Sequence, residues 1–403
     1  MRSLLDRPAP AAGRRHPAHA RGGWATLRSS PVAAVLPMFV VWRLWLQVVY
    51  WLGTAGPATR PAALPPPAYG RLMADVPGWL TRWLAWDGQH YLRTAVRGYG
   101  PPGDGREFGA AIFPLFPLTV RWVDRLTPLH AGLAGLVVSH VCAVAFLVLL
   151  YRLGERVAGP GRGRRAVLLF LVLPTSFFLV SYYAEAMLLA LAALAVDAGF
   201  RRRWAVAAVA AALASATKPH GILLGPVLLV LWFQLDRRSL RGLWLLLAPA
   251  GLLVWMAFLQ RRYGDAMIWF TAQSGWRRQV TGDFVARVTD SSAAVLGIHP
   301  WGWEQLVLVV NLAVLAGMLV LAVLLAVDRR PALALLVAGA VLIPVATGTL
   351  LSLGRLALLG FPAVLWPAGH LRERGPGELA WILAGTGVGT ITLAAVVAGD
   401  FLA

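Results

Sequence analysis

Long apolar runs recur along this chain from Pro31 to the C-terminus, and the first of them covers residues 31–53. About 20 apolar residues in a helix cross the hydrocarbon core of a bilayer. Hydrophobic residues make up 58% of the chain and charged residues only 14%. Because backbone groups in lipid must be satisfied within the segment that spans it, the pattern predicts an all-α polytopic membrane protein.

The basic residues are spread between the apolar runs. The net charge is +19, but the cations form no single stripe interleaved with exposed aromatics, so we expect no nucleic-acid partner. The chain has one cysteine, Cys142, which excludes an intramolecular disulfide. The charge is better explained by orientation in a lipid bilayer, whose cytoplasmic face attracts arginine and lysine.

Arginine placement predicts the topology. Residues 1–30 are basic and rich in Pro, Ala and Gly, which predicts a disordered cytoplasmic tail. Residues 31–403 are then a single multi-span domain of about 11 helices, with the N-terminus inside and the C-terminus outside. The predicted spans are 31–53, 131–150, 166–180, 186–200, 204–216, 222–235, 242–259, 305–327, 331–351, 356–368 and 379–397.

Two external loops follow from this topology, at about 54–130 and 260–304. The first contains Phe113, Pro114 and Pro117, and its prolines predict an interfacial or re-entrant segment instead of a straight span. The polar residues that remain then fall on the outer side instead of scattering. They form five groups, 87–90, 181–185, 217–220, 263–265 and 352–355, and predict one composite site at the outer face.

Asp87 is the predicted general base. An acid among cations and aromatics at a membrane interface suits sugar transfer from a lipid-phosphate carrier, since the acid can deprotonate an acceptor hydroxyl while Arg or Lys neutralises the phosphate. Partial burial would raise the pKa of Asp87 toward useful basicity. The alternative is that Asp87 only caps an interfacial helix.

The other candidates bind donor phosphate or substrate, and each has a structural alternative. Lys218 is the one lysine among 37 basic residues, which suggests a specific phosphate contact. The alternative is chance retention of one lysine codon. Arg355 either pairs with a phosphodiester or snorkels to the interface, and Glu185 has either a task or an ion-pair partner. Asp265 follows a glycine, which is also common turn chemistry. The remaining candidates are Trp86, Gln89, His90, Tyr91, Tyr183 and His220; for His90 and Tyr91 the alternative is an aromatic belt.

Several chemistries lack support. The sequence has no P-loop, no GxGxxG after a strand, no HExxH and no zinc-spaced Cys and His set. It also has no DxD-type pair for a nucleotide sugar. We therefore predict no cofactor and no metal ligand, with any divalent metal requirement left open, and a lipid-linked donor.

The ordered segments resemble the PIG-V family of mannosyltransferases. The likeness is carried by 86–91, 113–117 and 174–178 leading to 183–185, and later by 263–265, 276–277 and 352–355 followed by 361–362. It implies a GT-C type fold, polyprenyl-phosphate mannose as donor, and a catalytic acid in the first external loop, which is Asp87 here. The chain departs from the family pattern at Ala184, Lys218, Ala266 and Leu356. The acceptor and the sugar can therefore differ from those of the family.

The leading hypothesis is an inverting glycosyltransferase in a bacterial plasma membrane, with its site facing outside. Its partners would be a polyprenyl-phosphate sugar, a glycan, glycolipid or protein acceptor, and the bilayer. One alternative is a transporter or flippase of lipid-linked sugars, which would need polar residues near the midplane and structural repeats. The other is a catalytically inactive binding subunit of the same fold.

Overall fold

The computed structural model describes residues 30–55, 72–100, 107–273, 303–346, 350 and 352–398. These residues form helices and turns, and no strand occurs among them. The all-helical prediction is therefore confirmed. Most of the predicted N-terminal tail, most of the second external loop and residues 276–277 lie outside the described residues.

The α-helices, numbered in chain order, differ widely in length. They are α1 (Pro31–Ala55), α2 (Asp87–Arg97), α3 (Leu115–Leu126), α4 (Ala131–Leu153), α5 (Gly163–Leu171), α6 (Glu185–Phe200), α7 (Trp204–Thr217), α8 (Leu224–Leu235), α9 (Ala250–Tyr263), α10 (Ile268–Thr271), α11 (Trp303–Val327), α12 (Pro331–Ala346), α13 (Leu353–Leu356), α14 (Leu365–His370) and α15 (Pro376–Ala398). Short 3-10 helices connect or extend them; they are Gly78–Leu84, Glu107–Ala111, Ser176–Leu179, Pro219–Leu223, Leu240–Leu247 and Ala357–Val364.

Five helical stretches among the described residues are long and apolar enough to cross a bilayer. They are Pro31–Ala55, Ala131–Ala158, Leu240–Tyr263, Gln305–Val327 and Pro376–Val397. Three shorter apolar helices accompany them, at Trp204–Thr217, Pro219–Leu235 and Pro331–Ala346. The chain is thus an integral membrane protein by the length and composition of its helices, and the predicted number of about 11 spans stays a prediction.

Several predicted spans are broken. The run 166–180 is helical only to Leu171, and after a turn at Pro174 it continues as a 3-10 helix. The run 356–368 divides into a 3-10 helix and α14, with Gly360 leaving helical geometry at ψ 27°. Proline removes a backbone donor and clashes with the preceding turn, so apolar composition alone overestimates the length of these helices.

The core of the fold is a layer of tightly packed helices around α6. This helix packs against both α4 and α7. Alanines such as Ala192, Ala193, Ala208 and Ala211 are fully buried. Small side chains let helix backbones approach closely in lipid. The close packing holds the first residue of α6, Glu185, in the interior.

The predicted interfacial segment is a short 3-10 helix followed by the amphipathic helix α3. Phe116 and Val120 of α3 are fully buried, whereas Trp122 and Leu126 on its other side are exposed. Arg121 of α3 donates to the carbonyl oxygens of Thr94 and Ala95 in α2. α3 therefore lies against α2 and helps to fix the position of Asp87.

Candidate active site

Two acidic and two basic side chains from four distant segments meet in the protein interior. Asp87 Oδ2 accepts a hydrogen bond from Arg355 Nη1 at 2.8 Å. Glu185 Oε1 lies 3.3 Å from Arg355 Nε and 2.5 Å from Lys218 Nζ. All four residues are at most 9% exposed. The formal charges of the group cancel, which is what allows it to be buried.

Helix ends hold three of these four residues. Asp87 and Glu185 are the first residues of α2 and α6, where the helix dipole favours a negative charge. Lys218 follows the last residue of α7, and Pro219 begins the next helix. A cation is favoured at a helix C-terminus, so the dipoles of three helices support the charges that the site requires.

The backbone is strained beside both partners of the Asp87–Arg355 ion pair. Trp86 has φ 59° and ψ −126°, and Ser352 has φ 61° and ψ 9°. Positive φ is uncommon for residues with a Cβ and costs about 1–3 kcal/mol where it occurs. The surrounding structure holds Trp86 next to Asp87, and it holds Ser352 at the start of α13, which carries Arg355.

Aromatic rings enclose the guanidinium of Arg355. Its Cζ atom lies 5.4 Å from the centre of the Phe178 ring and 5.2 Å from that of Tyr183, within the range of a cation–π contact. The Tyr183 hydroxyl donates to the carbonyl oxygen of Ala85 at 3.0 Å. Burial, with the nearby Asp87 carboxylate, raises the pKa of Tyr183, so this hydroxyl stays protonated.

The structure brings most of the predicted site residues together. Tyr91 packs beside Tyr183, with ring centres 6.2 Å apart. Gln89 is buried in α2, and His220 is buried two residues after Lys218. His90 is mostly buried; burial lowers its pKa, Asp87 opposes that shift and Arg93 adds to it. Asp87 itself is buried beside the guanidinium of Arg355.

Asp265 does not belong to the four-charge cluster. It is exposed, and its Oδ1 accepts a hydrogen bond from the backbone N–H of Met267 at 2.7 Å. This is the side-chain-to-backbone bond of an Asx turn. The turn interpretation of Asp265 agrees with this geometry.

The sequence did not predict two residues near Arg355, Phe178 and Asn311. The centre of the Phe178 ring lies 5.4 Å from the guanidinium carbon, and Asn311 of α11 accepts a hydrogen bond from the N–H of Gly354 at 3.0 Å. Ser352, which begins the turn before Arg355, belongs to the predicted group 352–355. Asn311 had a signal, because it interrupts the apolar run of a predicted span. Phe178 had none, since a phenylalanine in an apolar stretch is ordinary.

The arrangement suits proton transfer next to a bound anion. Asp87 and Glu185 both lie beside Arg355, and Lys218 lies beside Glu185. The aromatic rings of Phe178 and Tyr183 lie next to Arg355. Among the described residues, no group of three or more His, Cys, Asp or Glu side chains is placed to hold a metal ion. The side chains of the cluster can accept a proton and stabilise a negative charge.

The sequence matches the family described as mannosyltransferase (PIG-V) over residues 34–234. The matched range includes Asp87, Glu185 and Lys218, and ends before Arg355. No curated protein matches the sequence.

Proposed function

Because this chain belongs to the PIG-V mannosyltransferase family, we propose that it moves a mannose from a polyprenyl-phosphate carrier to an acceptor hydroxyl at the outer face of the membrane. The observation that carries the proposal is the buried Asp87–Arg355 ion pair. It joins an acid in the first loop to a cation 268 positions later in the chain. A base and an anion-binding group in contact are what this reaction needs.

In the proposed reaction Asp87 is the general base. Its carboxylate accepts the proton of the acceptor hydroxyl while the hydroxyl oxygen attacks the anomeric carbon of the sugar. The bond from that carbon to the phosphate oxygen breaks, and the polyprenyl phosphate leaves with the bonding electrons. Attack opposite the leaving group inverts the anomeric configuration.

Arg355 and Lys218 would stabilise the departing phosphate. Two of the three guanidinium nitrogens of Arg355 face carboxylates, and Nη2 lies 3.5 Å from the hydroxyl of Ser352. Nη2 thus has the longest of the three contacts and faces no carboxylate, and we assign the phosphate to it. Glu185 is a positioning residue, because its carboxylate orients both cations.

The acceptor is proposed to be a cell-envelope glycan, glycolipid or protein, and the location a bacterial plasma membrane. Trp86, His90, Tyr91 and His220 are proposed to line the sugar or acceptor side. Aromatic faces suit the apolar faces of a sugar ring. These assignments rest on the closeness of the residues to Asp87 in the chain or in space.

A transfer assay tests the proposal. Purified wild type, Asp87→Asn and the matched control Asp265→Asn would be given radiolabelled polyprenyl-phosphate mannose and envelope lipids and glycans as acceptors. We expect Asp87→Asn to lose about 10²- to 10⁴-fold in rate, the usual contribution of a general base. Asp265→Asn should retain the wild-type rate, since asparagine also forms an Asx turn.

Two outcomes would contradict the proposal in different ways. If Asp87→Asn keeps the wild-type rate, Asp87 is not the base. If the wild type binds the donor but neither releases polyprenyl phosphate nor transfers sugar to any acceptor, the protein is a carrier or a binding subunit.

A further inference from the structure

Asn311 of α11 presents an amide group to a small cavity beside Arg355. The residue is 4% exposed. Its Oδ1 accepts the backbone N–H of Gly354 at 3.0 Å, and this bond defines which end of the amide is oxygen, because a backbone N–H requires an acceptor. Its Nδ2 has no hydrogen-bond partner within the described part of the chain. A buried donor without an acceptor is unfavourable unless a ligand or water supplies one.

The cavity next to Asn311 is polar on one side. It is lined by Thr175, Asn311, Ser352 and Arg355, among other residues. Its volume is about 20 Å³, which is room for one water-sized group. One oxygen of a larger ligand therefore fits between the amide of Asn311 and the guanidinium of Arg355.

An apolar groove begins at the same place. Its volume is about 370 Å³, and it shares Thr175, Val310 and Gly354 with the polar cavity. The groove runs between α11, the 3-10 helix after α13, and α15, where Gly317, Phe361 and Trp381 line it. A ligand that fills both spaces has an oxygen-bearing anionic head and an apolar chain.

We propose that Asn311 donates a hydrogen bond to a phosphate oxygen of a polyprenyl phosphate, next to Arg355, while the first isoprene units of its chain lie in the adjoining groove. The proposal rests on the proposed function, since it identifies how the donor of that reaction is held. Charge favours this occupant: Arg355 is at the head of the groove, and the amide adds two donors and no acceptor toward the cavity.

Variants at Asn311 distinguish the proposed hydrogen bond to phosphate from the hydrogen bond that Asn311 accepts from Gly354. Asn311→Asp keeps an oxygen for the N–H of Gly354 but replaces the donor with an acceptor. Asn311→Ser is the shorter, uncharged second variant if the first does not fold, as judged by its melting temperature. The full-length protein in detergent would be titrated with undecaprenyl phosphate and with the uncharged alcohol undecaprenol.

The measured quantity is the ratio of the affinities for undecaprenyl phosphate and undecaprenol, because damage to the fold would weaken the binding of both ligands alike. We expect wild type to prefer the phosphate and the Asn311 variants to lose about tenfold or more of that preference. An unchanged ratio in a folded variant, or a wild type without preference for the phosphate, would overturn the proposal.

A substitution at Gly317, with the same substitution at Gly387 as control, tests whether the lipid chain lies in the groove. A Cβ at Gly317 or at Gly387 would meet nothing within 4 Å, so a side chain can begin at both positions without a clash. Gly317 lines the groove and Gly387 does not. Gly317→Leu should weaken the binding of undecaprenyl phosphate and leave the binding of inorganic phosphate, which has no chain, nearly unchanged. Equal effects of Gly317→Leu and Gly387→Leu would exclude this path for the chain.

These titrations need no acceptor and no turnover. If the wild type transfers sugar while the Asn311 ratio is unchanged, only this inference fails. If Asn311 governs the preference for phosphate but no sugar is transferred, only the proposed function fails.

Discussion

Glu185 shares one carboxylate oxygen between Lys218 and Arg355, so the loss of either cation leaves buried charge poorly compensated. We expect Lys218→Met to destabilise the protein by about 3–5 kcal/mol, the usual cost of breaking a buried ion pair by removing one partner. Thermal or denaturant unfolding in detergent measures this. The double variant Glu185→Gln, Lys218→Met should recover part of the loss, and strictly additive effects would contradict the coupling.

His90 makes the stability of the folded protein depend on pH. Burial lowers its pKa from the ordinary 6.5, with Asp87 opposing and Arg93 adding to the shift. The unfolded chain therefore binds a proton at pH values where folded His90 does not, so this contribution to stability is complete above 6.5 and declines as the pH falls below it.

We expect His90→Gln to reduce the loss of melting temperature on acidification. The melting temperature measured from neutral to mildly acidic pH tests this, with the exposed His130 as control through His130→Gln. An equal acid slope in wild type and His90→Gln would show that His90 does not contribute.

At the scale of elements, the buried pair Arg165–Glu378 ties α5 to α15. Arg165 Nε lies 2.5 Å from Glu378 Oε1, and Arg165 Nη1 donates to the carbonyl oxygens of Ala368 and Leu371. Arg165 thereby joins three segments that are far apart in the chain. None of these contacts includes a residue of the candidate active site.

We expect Arg165→Met to lower stability by about 3–5 kcal/mol while the transfer rate per folded molecule is retained. The neighbouring Arg164 is exposed, so Arg164→Met is the matched control and should unfold like wild type. Unfolding curves with activity on the folded fraction measure both effects. Equal stabilities of the two variants would show that the Arg165 contacts contribute little.

At the scale of the whole molecule, buried charges occupy opposite ends of α6. Glu185 begins this helix and belongs to the candidate site, whereas Asp197 near its end pairs with Arg156 and Arg201. Twelve residues at 1.5 Å each separate them by about 18 Å along the axis. The arginine-rich end is the one that the positive-inside rule assigns to the cytoplasm, which supports an outward-facing site.

Labelling of single cysteines tests this orientation. In a Cys142→Ser background, Pro128→Cys and Arg237→Cys would place thiols at exposed positions, one before α4 and one after α8. We expect a membrane-impermeant maleimide to label Pro128→Cys in intact cells and Arg237→Cys only after permeabilisation. The reverse pattern would place the candidate site in the cytoplasm.

The sequence by itself determined the helical class, the membrane setting and the family, because apolar runs and the order of short motifs are local properties of a chain. It also identified Asp87, Glu185, Lys218 and Arg355 as candidates, Glu185 and Arg355 because charge beside apolar runs is costly. Their pairing could not be read from it, because Asp87 and Arg355 are 268 positions apart and contact depends on how all the intervening helices pack.

Only the tertiary structure decided where helices break and which polar groups meet. Pro174 and Gly360 interrupt apolar runs that hydropathy treats as continuous, since hydropathy measures composition and not backbone geometry. Asn311 and Phe178 lie beside Arg355, and Asp265 lies outside the four-charge cluster, for the same reason: a side chain's environment is set by neighbours that are distant in sequence. The amino-acid sequence specifies which polar and charged side chains the protein has, and the packing of its helices decides which of them come within hydrogen-bonding distance.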